Sequence, residues 1–281
     1  MLSYLHAFHA GNFADVLKHL ISVQILKYMT QKEKAVFYLD THSGAGAFEL
    51  SQEESQKNLE YENGIGKLWQ LNETNLPSSV QEYLEAVKDF NATNELMHYP
   101  GSPWFAQQLL RDDDRLSLFE LHPREYKTLS QNFKNDKRIH TFNSSGFQAC
   151  LSQLPPKEKR GYILMDPPYE VKDDYKQVVE SLTKAHKKFA TGTYALWYPV
   201  VERQRINQLE KAFIKSGIRN IQQYELGLTS DHGSRGMTSS GMLVINPPWT
   251  LYQQMKKTLP YLAKQLAGRE GIYQIRQLVD E

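Results

Sequence analysis

Two hydrophobic periods alternate along the chain, and the changes between them mark its predicted elements. Leu17, Leu20, Ile21 and Ile25 recur at helical spacing over 13–29, with Asn12 in front as a helix N-cap. AVFYLDTH (35–42) is an apolar run with the length of a buried strand, and it leads straight into SGAGAF. Further strands are predicted over 115–123, 138–146, 161–169, 192–200, 220–228 and 241–248, with helices over 124–133 and 202–215. The last two strands are joined by the polar loop TSDHGSRGMTSS rather than by a helix, so they should run antiparallel. The stretch 50–100 breaks the rhythm. It is too long for a strand-to-helix connection and holds two helical patterns, YENGIGKLWQ and SSVQEYLEAVKDF, which reads as an inserted helical subdomain. After 250 the chain reads as a helix, LYQQMKKTLPYLAKQLA, with at most one short strand in GIYQIRQLV. Alternating strands and helices define an α/β fold, here a single domain over 1–281 with a seven-stranded, mostly parallel sheet.

Composition removes several classes of protein. With 40% hydrophobic, 11% aromatic and 23% charged residues, the 281-residue chain is globular rather than disordered. No apolar run approaches the roughly 18 residues of a membrane span. The first residues are interrupted by His6, His9 and Asp15 and do not form a secretory signal. One cysteine, Cys150, excludes an intrachain disulfide and a cysteine-rich zinc site, and implies the cytoplasm. His6, His9, His19 and His42 lack metal-ligand spacing, so no metal is expected. A net charge of +1 is neutral on nucleic acid, because phosphate recognition needs only a local basic surface.

Three segments carry chemistry. Asp40-Thr41-His42-Ser43-Gly44-Ala45-Gly46 ends the first strand, and its glycines allow a tight turn with close approach to a ligand. The third glycine of a dinucleotide fingerprint is missing, which weakens a nicotinamide reading. Glu120 closes the second strand, where an acidic side chain can accept both ribose hydroxyls; turn and acid together point to a nucleoside ligand. Asp166-Pro167-Pro168-Tyr169 follows the apolar strand GYILM. An exocyclic base amine is a poor nucleophile, because its lone pair is delocalised. The Asp166 carboxylate can take one N–H and a proline-region carbonyl the other, with the prolines fixing the backbone. Tyr169 offers a ring on which a splayed-out base can stack. Asn246-Pro247-Pro248-Trp249 imitates this motif, but as the catalytic loop it would leave too few strands after it. Tyr4, His6 and Lys18 read as a substrate-facing edge, since the apolar face of the first helix lies elsewhere.

The strings YLHAFHAGNFADVLKH, LDTHSGAG, YPGSP, FELHP, MDPPY, ALWYPV, RGMTSSGM and NPPW extend from Met1 to about Trp249. In these strings the chain resembles the bacterial 23S ribosomal RNA adenine N6-methyltransferases of the RlmJ type. The resemblance implies a Rossmann-like class I methyltransferase fold, S-adenosylmethionine as cofactor, 23S ribosomal RNA as partner, and a monomer. It implies cofactor contacts at His19, His42, Ser102, Glu120, Ser145, Gly146 and Asp166. Asp166 would also accept a proton or hydrogen bond from the target amine, with Pro167 and Tyr169 in the same catalytic loop. Tyr4, His6 and Lys18 would contact RNA. Ser145 departs from the family's acidic residue and would hold an adenine amine more weakly. The alternative is a DNA adenine N6-methyltransferase, which shares the Asp-Pro-Pro-Tyr chemistry but usually carries a larger target-recognition domain. Cytosine C5 methylation is excluded, because Cys150 lies in the helical run GFQACLSQL rather than in a nucleophile loop. A non-catalytic RNA-binding module would have a degraded glycine turn or acid, and both are intact.

Overall fold

A computed structural model describes residues 6–71, 75–92, 94–171, 173–231 and 236–281. In chain order the elements begin with α1 (Phe13–Met29), β1 (Phe37–Asp40) and β2 (Ala47–Glu49), followed by α2 (Glu53–Asn58), α3 (Ile65–Trp69) and α4 (Ser78–Asn91). β3 (His98–Pro100), α5 (Ser102–Leu109), β4 (Arg115–Phe119), α6 (Pro123–Phe133), β5 (Ile139–Phe142) and α7 (Gly146–Ser152) come next. The chain closes with β6 (Gly161–Met165), α8 (Asp174–Lys188), β7 (Thr193–Val200), α9 (Arg203–Lys215), β8 (Ile221–Gly227), β9 (Ser239–Ile245), α10 (Leu251–Ala267) and β10 (Ile272–Val279).

The main sheet has eight strands in the order β10-β8-β9-β7-β6-β1-β4-β5. β5, β4, β1, β6 and β7 are mutually parallel, β9 runs antiparallel to both β7 and β8, and β10 is antiparallel to β8. The seven predicted strands are therefore joined by an eighth. β10 is a full edge strand rather than a short remnant, and the two-stranded ribbon β2–β3 was not foreseen either. The eighth strand pairs with β8 along its length, and side-chain polar bonds add to the pairing. Arg276 Nε donates to Gln223 Oε1 at 2.8 Å, and Gln222 Nε2 donates to Gln277 Oε1 at 3.1 Å.

Residues along the central strands alternate between two cores, as the two-residue period of a strand requires. Tyr38, Tyr162 and Leu164 pack into one with α1, α4, α5 and α10; Phe37, Leu39, Ile163 and Met165 pack into the other with α7, α8 and α9. The predicted cap holds, with Asn12 Oδ1 accepting from the N–H groups of Ala14 and Asp15. α1 itself departs from expectation. It is buried on all sides from Phe13 to Leu26, polar residues included, because the sheet and α4, α5 and α10 surround it. Among the described residues no helix is long and apolar enough to cross a membrane.

Most strands stop short of their predicted ends, so Glu120 and Asp166 stand just past β4 and β6. The antiparallel run of β9 disposes of the imitation motif. Ile245 pairs with Tyr194 at the start of β7, which sends Asn246-Pro247-Pro248-Trp249 to the opposite edge of the sheet from Asp166. There Asn246 Nδ2 donates to the carbonyls of Ala190 and Gly192, both at 2.8 Å, from a left-handed backbone at φ 49°. Asn246→Ala removes both bonds and strains the turn, so it is expected to cost about 1–3 kcal/mol. A urea titration reads the loss, and ligand binding at the far edge should not change. An undiminished midpoint would contradict this structural role.

Candidate active site

The loops after β1, β4, β5 and β6 converge at the carboxyl edge of the parallel strands, where a crevice forms in such sheets. They enclose a cavity of about 370 Å³ lined by His19, His42, Ser102, Glu120, Ser145, Gly146, Asp166 and Pro167. A second cavity of about 330 Å³ adjoins it and is lined by Tyr169, Tyr175, Trp197, Arg205 and Met237. His6, Lys18, Asp166 and Pro168 line both.

The first cavity depends on close backbone approaches. Gly46 sits at φ +82° against Phe133, and its carbonyl accepts the Gly101 N–H at 2.9 Å, which brings the start of α5 to the glycine turn. A Cβ at Gly146 would lie 1.8 Å from the Thr41 carbonyl oxygen, so no other residue fits beside the turn. Glu120 is locked from both sides: Oε2 accepts the Gly44 N–H at 2.9 Å and Oε1 the His122 N–H at 2.7 Å. Burial raises its carboxyl above the ordinary value, against the pull of those two bonds. Asp40 is buried beneath the turn, where Ser102 Oγ donates to Oδ2 at 2.6 Å and Tyr38 donates to the same oxygen at 2.9 Å. Burial pushes Asp40 up to about 6.

Burial lowers the pKa of two of the cavity histidines, His42 down to about 4 and His19 well below the usual imidazole range. His42 Nδ1 lies 2.7 Å from Thr41 Oγ1, and its ring meets Phe147 edge-on. His19 Nδ1 lies 2.8 Å from the Tyr99 hydroxyl. His19 Nε2, His122 Nδ1 and Glu125 Oε2 are buried without a hydrogen-bond partner among the described residues, and all three residues line the first cavity. Groups of this kind normally find a partner, which a polar ligand would provide. Ser145 is half-buried at the N-cap of α7, and its side chain makes no capping bond.

Lys18 is the main correction to the sequence reading. Instead of forming a substrate-facing edge it is 4% exposed, with Nζ 2.8 Å from Asp15 Oδ1 and 2.5 Å from Asp166 Oδ2. Burial alone would lower its pKa. The two carboxylates more than offset that and hold the ammonium above its ordinary value, while Asp15 is held well below its own. Asp15 also accepts the Gly11 N–H, and its Oδ2 lies 2.9 Å from His6 Nε2. Tyr4 lies outside the described residues. Tyr169 sits at φ 53°, donates its hydroxyl to the Trp197 carbonyl at 2.8 Å and tilts against Tyr175 with centroids 4.5 Å apart. Its hydroxyl is spent on the scaffold, so the ring is what it brings to the second cavity.

The sequence reading missed Leu121, Phe147 and Val171 in the first cavity and Tyr175 and Trp197 in the second. Leu121 and Phe147 directly follow Glu120 and Gly146, and that adjacency was a usable signal. Tyr175 lies at the start of α8 and carried none.

A parallel sheet with an antiparallel β9, a glycine turn after β1, an acid after β4 and Asp-Pro-Pro-Tyr after β6 define a class I methyltransferase fold. A family model described as "RsmJ: Ribosomal RNA large subunit methyltransferase D, RlmJ" matches residues 33–279. The chain is 52% identical over 267 residues to the "Ribosomal RNA large subunit methyltransferase J" of Haemophilus influenzae, covering 95% of this chain and 94% of that protein. It is 48% identical over 266 residues to the protein of the same name from Escherichia coli, with the same coverage. The crystal structure of protein LPL1258 from Legionella pneumophila superposes with a TM-score of 0.89 at 39% identity, covering 96% of this chain and 98% of that one. A probable spermidine synthase from Corynebacterium glutamicum, at 10% identity and a TM-score of 0.51 over 96% of this chain and 77% of its own, shares the fold alone. The chain belongs to the RlmJ family of ribosomal RNA large subunit methyltransferases, and it is a methyltransferase.

Removing the Lys18 ammonium leaves Asp15 and Asp166 facing each other across a buried gap. Lys18→Ala is therefore expected to cost about 3–5 kcal/mol of stability, as for other broken buried ion pairs. Chemical denaturation reads the loss directly. A change under about 0.5 kcal/mol, the usual scale for surface substitutions, would show that the bridge is not structural.

Proposed function

We propose that this enzyme transfers a methyl group from S-adenosylmethionine to the exocyclic N6 amine of an adenine in large-subunit ribosomal RNA. The observation that carries the reading is the wall common to the two cavities, in which Asp166 faces both. One cavity has the glycine turn, the acid for a ribose and unpartnered buried polar atoms that suit a nucleoside cofactor. The other has the tyrosine and tryptophan rings that suit a flipped base. The relatives' names supply the RNA.

S-adenosylmethionine supplies an electrophilic methyl carbon. Glu120 would hold its ribose, Ser145 and Gly146 would border its adenine, and His19, His42 and Ser102 would hold the amino-acid end. In the second cavity Tyr169 stacks the target adenine, and His6 closes the wall beside it. Lys18 engages Asp166 Oδ2 and holds the side chain in place, so Oδ1 is left to accept an N–H of the target amine. A carbonyl held by Pro167 and Pro168 takes the other N–H, which turns the nitrogen lone pair toward the methyl carbon. Transfer forms an N–C bond, breaks the S–C bond and releases one proton, which Asp166 accepts. Lys18 thus acts on the carboxylate and not on RNA phosphate. The reading carries with it a monomeric cytoplasmic enzyme.

Two measurements test the reading. Mass-spectrometric mapping of ribosomal RNA should find one N6-methyladenine of the large subunit lost when the gene is deleted. With purified enzyme and unmodified RNA, Asp166→Ala should lower methyl transfer by at least about a hundredfold, the lower end for loss of a proton-accepting group. A folded Asp166→Ala protein keeping a tenth of the wild-type rate would contradict the mechanism, and an unchanged methylation map would contradict the substrate.

A further inference from the structure

The buried carboxylate of Glu125 on the wall of the first cavity has no part in the proposed mechanism. Glu125 lies in the first turn of α6, is 9% exposed and borders the cavity. Its Oε2 is fully buried and has no hydrogen-bond partner among the described residues. Leaving a carboxylate oxygen in that state is costly, because a buried polar group without a bond loses its hydration for nothing. The helix N-terminus eases the charge but does not provide the missing donor.

The neighbourhood indicates which donor fits. α6 starts three residues after Glu120, and its N-cap, His122, gives its backbone N–H to Glu120. The two carboxylates are close enough to feel each other: after burial and the backbone bonds, the charge of Glu125 also pushes the Glu120 carboxyl up. The acid after the second parallel strand is where a nucleoside ribose binds in such folds. A ribose presents two hydroxyl donors on adjacent carbons, which can serve two neighbouring acceptors at once. The geometry points to a divided grip on the cofactor ribose, in which Glu120 accepts from one hydroxyl and Glu125 Oε2 accepts from the other. Glu125 is thus a second sugar-binding residue on α6, and the inference rests on the nucleoside cofactor proposed above.

The test crosses protein variants with ligand deletions. Calorimetry measures the affinity of full-length wild type, Glu125→Ala and Glu125→Gln for S-adenosylhomocysteine and for its 2′-deoxy and 3′-deoxy analogues. Glu125→Ala is expected to weaken S-adenosylhomocysteine by about tenfold or more, the equivalent of one hydrogen bond to a charged acceptor. Glu125→Gln preserves shape and should lose less. For one of the two deoxy analogues the wild-type and Glu125→Ala affinities should coincide, because the donor is already gone. Undiminished binding of S-adenosylhomocysteine by Glu125→Ala would overturn the assignment, as would an equal loss for all three ligands. Should Glu125→Ala fail to fold by circular dichroism, Glu125→Gln carries the same comparison. Failure of wild type itself to bind S-adenosylhomocysteine would instead refute the nucleoside cofactor.

Discussion

A lysine ammonium buried between two carboxylates is tolerable only while all three charges remain paired, and the whole site is arranged around that condition. Lys18 rises from α1, Asp15 precedes it on the same helix, and Asp166 arrives from the loop after β6. The pairing requires α1 to be sealed from water, which the sheet, α4, α5 and α10 accomplish between them. It also fixes Asp166 to within one hydrogen bond of the scaffold. In the proposed mechanism the carboxylate must be stationary before the amine arrives. The bridge holds it in place, at the cost of burying charge where an apolar helix would have been simpler.

The parallel sheet then decides which other groups share the site. β1, β4, β5 and β6 all end on one edge, so the residues that follow each strand meet there whatever their distance in sequence. Gly46 and Gly146 let backbones approach closely enough for the loops to form one wall. The same rule excludes the second proline motif. Asn246 follows a strand of the opposite direction and is carried to the far edge, where its amide stitches a turn.

Much of this was legible in the sequence. Helix α1 and its Asn12 cap, the seven predicted strands, and the antiparallel β8–β9 pair follow from periodicity and loop chemistry. The glycine turn, Glu120 and Asp166 stand out at strand ends, whereas His19, His42, Ser102, Ser145 and Gly146 came only with the family resemblance; all of these residues line one cavity. What escaped depended on three-dimensional enclosure. Lys18 looks like a surface residue in a helical repeat, and only the packing of α4, α5 and α10 shows that it is buried. β10 is an edge strand with no fully buried residue, held to β8 by its backbone ladder and by amide and guanidinium bonds. Tyr175 reaches the second cavity from a helix that begins near it by topology, not by motif.

The central claim is that Asp166 stands between a donor cavity and an acceptor cavity. A crystal structure of the enzyme with S-adenosylhomocysteine and adenosine monophosphate bound together tests it most directly. The account requires the thioether sulfur in the cavity of Glu120 and Gly146, and the adenine against Tyr169 with its N6 amine within hydrogen-bond reach of Asp166. An adenine seated elsewhere, or an amine turned away from Asp166 with both ligands fully occupied, would contradict it.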